Sequence, residues 1–163
     1  LMITPHLVGF HAGLPKGHRS TGARHRLNML SVVNRRGRIR FMIQKGGVNG
    51  EVMCRFLDRL MVGSSKPVFL IWDGHPTHKS KEVAAKVRSY KGRLRVYQLP
   101  GYSPELNPGE GVWGEVKSHR VGRAGVFTFA DMKSKALGAL RHLSHRPDKV
   151  RGFFLTPTTF YAS

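Results

Sequence analysis

The stretch Pro67-Val68-Phe69-Leu70-Ile71-Trp72-Asp73-Gly74-His75-Pro76-Thr77-His78 decides the fold. Its first half is a continuous apolar run without alternation. Such a run marks a strand buried on both faces, which needs helices above and below it. The run stops at Asp73, so a carboxylate falls at the carboxyl end of a buried strand, where open α/β sheets gather their functional groups. Asp-Gly is also a common turn, and a turn-capping role for Asp73 stands beside the functional one.

Upstream of this strand, Val52, Met53, Phe56, Leu57, Leu60 and Met61 repeat at helical spacing, with Asn49 as N-cap, and predict an amphipathic helix over 50–62. Cys54 falls within that pattern and reads as core. Before it, Leu27 to Val33 and Ile39 to Gln44 flank the turn Asn34-Arg35-Arg36-Gly37, the pattern of a β-hairpin. Residues 1–26 read mostly as loop. Downstream, Thr77 or Ser80 caps a helix with Val83, Ala84 and Val87 inward, and Leu94 to Leu99 is a further strand. A helix over 107–121 follows, with Asn107 as N-cap and Pro108 at its first position, then another over 129–143. The tail 147–163 reads as irregular. Helices alternating with strands predict a mixed α/β sheet flanked by helices, in one domain over 1–146.

Charge narrows the partners. Lys and Arg number 28 against 9 Asp and Glu, a formal net charge of +19. A chain this basic is drawn to polyanions, with nucleic acid foremost. Arg35, Arg36, Arg38 and Arg40 crowd the hairpin, Lys79 and Lys81 follow Asp73, and Lys117, Arg120 and Arg123 follow Glu110. Collectively they suit a groove that grips DNA backbone without reading its sequence. The single cysteine excludes an internal disulfide framework. Zinc would need a closed ligand set, and no recognised spacing links His75 and His78 to His119, His142 or His145. No apolar run approaches the roughly 20 residues of a membrane span, and the expected setting is cytoplasmic and DNA-associated, with no membrane partner and no small-molecule cofactor.

Acids are scarce, so their places matter. Glu110 sits three residues after Asn107, where a capping-box glutamate belongs. The same position aims a carboxylate outward from the first helical turn. Two carboxylates on separate elements of a basic chain suggest a metal site for phosphoryl chemistry. Two Mg²⁺ ions held roughly 3.5–4 Å apart by carboxylates neutralise the phosphoryl oxygens and activate the attacking hydroxyl. Such a site normally needs a third carboxylate.

Two motifs carry a family resemblance. Phe69 to His78 resembles the strand-plus-aspartate motif of mariner-like DDE transposases. Leu99-Pro100-Gly101-Tyr102-Ser103-Pro104-Glu105-Leu106-Asn107-Pro108-Gly109-Glu110-Gly111-Val112-Trp113 resembles that family's final acidic motif. The hairpin and first helix also follow the family order, so the resemblance covers residues 10–122. It implies a ribonuclease-H-like fold and Mg²⁺-dependent cutting and joining of DNA, with Mn²⁺ as substitute and a homodimer as the working assembly. Asp73 and Glu110 would be the second and third catalytic acids and metal ligands. Arg35, Arg36, His78, Lys79, Lys81, Lys117 and Arg120 would contact DNA.

The pattern breaks at the first acid, which the family carries on the first strand. No Asp or Glu precedes Glu51. The expectation is therefore an N-terminally truncated frame, its first strand missing or incomplete and its cleavage impaired, or a first acid supplied by a separate chain of the same element. The alternatives are a non-catalytic DNA-binding remnant of the same fold and a ribonuclease-H-like nuclease outside transposition.

Overall fold

The computed structural model describes residues 2–9, 26–101, 103–117 and 128–159, with residues 2–9 and Arg26 described in backbone only. Five strands form one mixed sheet: β1 (Met2–Gly9), β2 (Arg26–Val33), β3 (Ile39–Lys45), β4 (Val68–Trp72) and β5 (Leu94–Gln98), in the order β3-β2-β1-β4-β5. The helices are α1 (Gly50–Met61), α2 (Lys81–Ser89), α3 (Gly109–Val116), α4 (Phe129–Ser144) and α5 (Pro147–Gly152).

Alternation along the strands splits the core into two layers. Leu30, Val32, Met42, Leu70 and Trp72 face α1 and α2 on one side of the sheet. Leu27, Met29, Val33 and Leu99 face α3, α4 and α5 on the other. The ribonuclease-H-like architecture expected from the sequence is thus present. Helix α1 begins where Asn49 Oδ1 accepts from Val52 N at 3.0 Å. A 12-residue helix is marginal alone. Burying Met53, Phe56, Leu57 and Leu60, at about 1.5–3 kcal/mol for each large side chain, is what fixes it. Cys54 is half-buried against that same layer.

The first strand was expected to be missing or incomplete, and residues 1–26 to be mostly loop. Instead, β1 lies inside the sheet, antiparallel to β2 over its whole length and parallel to β4 at Met2↔Ile71 and Ile3↔Trp72. Pro5 hides it from a sequence reading, because proline removes a ladder donor. The β4 ladder stops at Ile3, so Pro5 falls where one edge of β1 has no partner strand. The tail, expected to be irregular, holds α5. Pro147 opens that helix, and Val150 and Phe154 are buried in the α3–α4 layer.

The β2–β3 turn forms as expected. Asn34 Oδ1 accepts from Arg36 N and Arg38 N, both at 3.0 Å. Gly37 has φ +79, and a Cβ there would collide with the Pro147 backbone. Glycine is required at that position on both counts.

Candidate functional site

Asp73 leaves the end of β4. The β4–β5 ladder runs to its limit here, with Leu99 N donating to Trp72 O at 2.8 Å. Gly74 folds close over β5, so that a Cβ on it would meet Gln98 Nε2 at 3.4 Å. Asp73 Oδ1 accepts from His75 N at 3.0 Å, so the turn-capping role is realised. The side chain is nonetheless one-third exposed, and among the described contacts its other oxygen is not engaged. One oxygen of the carboxylate thus forms the turn, and the partly exposed side chain keeps the second at the carboxyl end of β4.

His78 holds this turn from beneath. Its ring stacks on Trp72, centroids 4.4 Å apart and planes 14° apart. Nδ1 lies 2.9 Å from Asp73 O and 3.3 Å from Asp73 Oδ1. A short contact to a carbonyl assigns the proton to Nδ1. Burial lowers the ring's pKa below the ordinary histidine value. The Asp73 carbonyl and carboxylate pull the other way, and nearby His75 adds to the lowering. The side chain is 1% exposed, so the expected phosphate contact gives way to a structural one. A ring packed flat on an indole cannot turn outward to a polyanion, whereas it can orient the Asp73 backbone.

Thr77, read as one of two caps for the next helix, instead donates its hydroxyl to Val48 O at 3.1 Å, tying the loop to the segment that leads into α1. Ser80 is the cap of α2, accepting from Val83 N at 3.3 Å. Neither the Thr77 tether nor the approach of Gln98 has a local sequence signal, because both partners lie more than 20 residues away.

Glu110 lies in the first turn of α3, half-buried. Asn107 is extended (φ −104, ψ 103) and Pro108 is already helical (φ −60, ψ −19). Asn107 Oδ1 accepts from Gly109 N at 2.9 Å. Asn107 thus acts as the N-cap and Pro108 as the first helical residue, as expected. The Asn107 amide donates to Pro104 O at 2.9 Å, inside the preceding turn. Val112, Trp113 and Val116 anchor α3 in the core, which fixes the direction in which its first turn points. Glu115, farther along α3, pairs with Lys149 at 2.7 Å.

The expected DNA contacts do not all share one end of the sheet. Lys79 and Lys81 are exposed in the segment after Asp73, and Lys117 is exposed at the end of α3. Arg35 and Arg36 are exposed but lie elsewhere. The pairings Val33↔Met2 and Met2↔Ile71 set the end of β2 level with Ile71, and the turn continues away from Asp73. The separation is on the order of 20 Å. Lys45, which the sequence reading passed over, lies toward the Asp73 end, its Nζ 5.7 Å from the Phe129 ring centroid. Arg120, Arg123 and His119 lie outside the described residues, as does Tyr102 of the acidic motif.

Oxygen donors such as Asp73 and Glu110 suit Mg²⁺. Among the described residues, however, no group of three or more His, Cys, Asp or Glu side chains is placed to hold an ion. Ile3 pairs with Trp72, and one further step along β1 sets Thr4 beside Asp73. The strand flanking the acid therefore carries no carboxylate. A full two-ion site does not fit the described residues.

A family model described as DDE superfamily endonuclease matches residues 7–132. Among solved structures, the fold is similar to the catalytic domain of Mos1 mariner transposase, with a TM-score of 0.59 and 14% identity over 93% of this chain and 80% of that one. The same catalytic domain with raltegravir and Mg matches at TM-score 0.60 and 13% identity, covering 93% and 82%. The Mos1 mariner paired end complex with Mn matches at TM-score 0.64 and 12% identity, covering 99% of this chain and 56% of that one. At these identities the likeness is one of fold. No curated protein sequence matches the chain.

Proposed function

We propose, from the premise that the chain belongs to the DDE superfamily of endonucleases, that it is a transposase-type catalytic domain that grips DNA but lacks one acid needed to cut it. The observation that carries this reading is β1. It is the strand beside Asp73, and it contains neither Asp nor Glu. Asp73 and Glu110 would remain as the second and third acids, with Mg²⁺ or Mn²⁺ as the ion they share weakly. An ion site that has lost one of its oxygen ligands holds metal poorly.

The residues of this chain still account for DNA engagement. Lys79 and Lys81 are exposed cations in the segment that follows Asp73, and Lys117 is exposed at the end of the helix that carries Glu110. They position phosphates without reading bases. Arg35 and Arg36 would contact a more distant stretch of the same DNA. His78 serves as a positioning residue for Asp73, and two copies of the chain on paired DNA ends are the assembly carried over from the Mos1 complexes. A non-catalytic DNA-binding remnant is the second reading, favoured by the same β1 composition.

Supercoiled-plasmid nicking with Mg²⁺ or Mn²⁺ tests the proposal. The wild-type chain is expected to nick no faster than an Asp73→Asn, Glu110→Gln double variant, while binding duplex DNA with an affinity that falls steeply between about 50 and 200 mM salt. Nicking by the wild type that Asp73→Asn abolishes would show that the acid set is complete. Salt-insensitive binding would remove the phosphate grip.

A further inference from the structure

The face of the sheet that carries α3 and α4 is not covered evenly. Helix α3 packs on β1 and β2, and α4 on β2 and β3. On the β4–β5 half, Phe69 is 49% exposed and Tyr97 is 51% exposed. Large aromatic rings left half in water on a strand face are worth explaining, since burying them would stabilise the fold. Here they are not scattered. Phe69 is paired in register with Arg95, and Ile71 with Tyr97, which makes the two rings diagonal neighbours on one face. Their centroids lie 6.5 Å apart with planes within 20°. The Arg95 guanidinium carbon lies 5.7 Å from the Phe69 ring centroid.

The cations set against this pair are Arg95, on the same face, and Lys66 and Arg93, just before β4 and β5. Lys86 and Arg88 belong to α2 on the other face, where Lys86 pairs with Asp58 at 2.7 Å. An apolar protein partner would be poorly matched to such a rim, whereas a polyanion with flat apolar faces would be well matched. Single-stranded nucleic acid has both properties, and its bases stack on aromatic side chains independently of sequence. Bases inside a duplex are already stacked on one another and present only edges and backbone.

We propose that Phe69, Tyr97 and Arg95 form a stacking platform for a single strand of DNA. The bases lie on the two rings, and Arg95 and its neighbouring cations hold the phosphates. Phe69 is four residues before Asp73 on the same strand, about 13 Å along it. The platform therefore runs along the sheet toward the candidate site and suits a strand separated from its complement beside that site. This rests on the reading that the chain engages DNA, and adds which form of DNA and which residues.

Fluorescence anisotropy with fluorescein-labelled oligo(dT) and a matched duplex tests it. Phe69→Ala and Tyr97→Ala are each expected to weaken oligo(dT) binding about tenfold and to leave duplex binding within about twofold. Both rings are half-exposed, so the variants should fold. Tyr97→Trp should keep binding, and its added indole emission should be quenched by oligo(dT). Unchanged oligo(dT) affinity in the alanine variants, or equal loss on both DNA forms, would overturn the platform. So would sedimentation showing that the variants dissociate a dimer of this chain. A wild type that holds duplex in a salt-sensitive way but whose oligo(dT) binding ignores these variants sinks the platform alone. A wild type that binds neither form sinks the DNA reading as well.

Discussion

His78 lies flat against Trp72, ring centroids 4.4 Å apart, while its Nδ1 sits 2.9 Å from the carbonyl of Asp73. One ring therefore joins the last core residue of β4 to the first residue past it. Removing it takes away both the stack and the contact that orients the turn. His78→Ala is expected to cost on the order of 2–3 kcal/mol in urea denaturation. A loss below about 0.5 kcal/mol would mean that the turn holds without it.

The same ring makes stability depend on pH. Its folded pKa lies below the ordinary value of 6.5, chiefly through burial. A histidine lowered in this way is neutral when folded and charged when unfolded in the window between the two values. Its contribution is fully present above about pH 6.5 and is lost as pH falls toward the folded pKa. Wild-type melting temperature should therefore drop more between pH 7.5 and 5.5 than that of His78→Asn. Parallel curves would assign the pH dependence to other groups.

Asn107 Oδ1 caps α3 through Gly109 N at 2.9 Å, and the side chain is buried. Asn107→Ala should cost about 1–2 kcal/mol, from the lost cap and an uncompensated buried amide. Asn107→Asp should recover most of it, because a carboxylate also accepts from the first turn. Chemical denaturation of the two variants separates capping from simple volume loss.

Gly111 sits on α3 directly beneath the Phe153 ring, so a Cβ there would meet ring carbons. Gly111→Ala should destabilise by about 1–3 kcal/mol despite alanine's better helix propensity. Phe153→Leu in the same chain should return part of that loss. A double-mutant cycle reads the coupling, and additive losses would show that α3 and α5 do not share this contact.

Thr4 stands one step past the Ile3↔Trp72 pairing, beside Asp73. Thr4→Asp should raise Mn²⁺-dependent plasmid nicking above the wild type, and Asp73→Asn in the same chain should abolish the gain. No gain, with the fold intact by circular dichroism, would show that the missing carboxylate is not all the site lacks.

Much of this was legible where the signal is local. The unbroken apolar run Val68–Trp72 announced β4 as a strand, although only the face of Val68, Leu70 and Trp72 is fully buried and Phe69 stays half in water, and the spacing of Val52 to Met61 made α1 a helix. Asn34 and Gly37 announced the β2–β3 turn. Asn107 and Pro108 announced the start of α3, since caps and fixed φ angles act within a few residues. The two acidic motifs named the family.

What only the tertiary structure decided involves residues far apart in the chain. Residues 2–9 became a strand because β2 and β4 flank them, and no local preference overrides Pro5 to say so. His78 left the list of DNA contacts because Trp72 buries it. Arg35 and Arg36 fell away from Asp73 because antiparallel pairing carries the turn to the other end. Phe69 and Tyr97 are left half in water because the helices on their face pack on β1, β2 and β3. Asp73 and Glu110 were conspicuous as scarce acids in the sequence. That the strand beside Asp73 is present but carries no carboxylate required the sheet, because register between strands is set by pairing and burial and is not written in either strand alone.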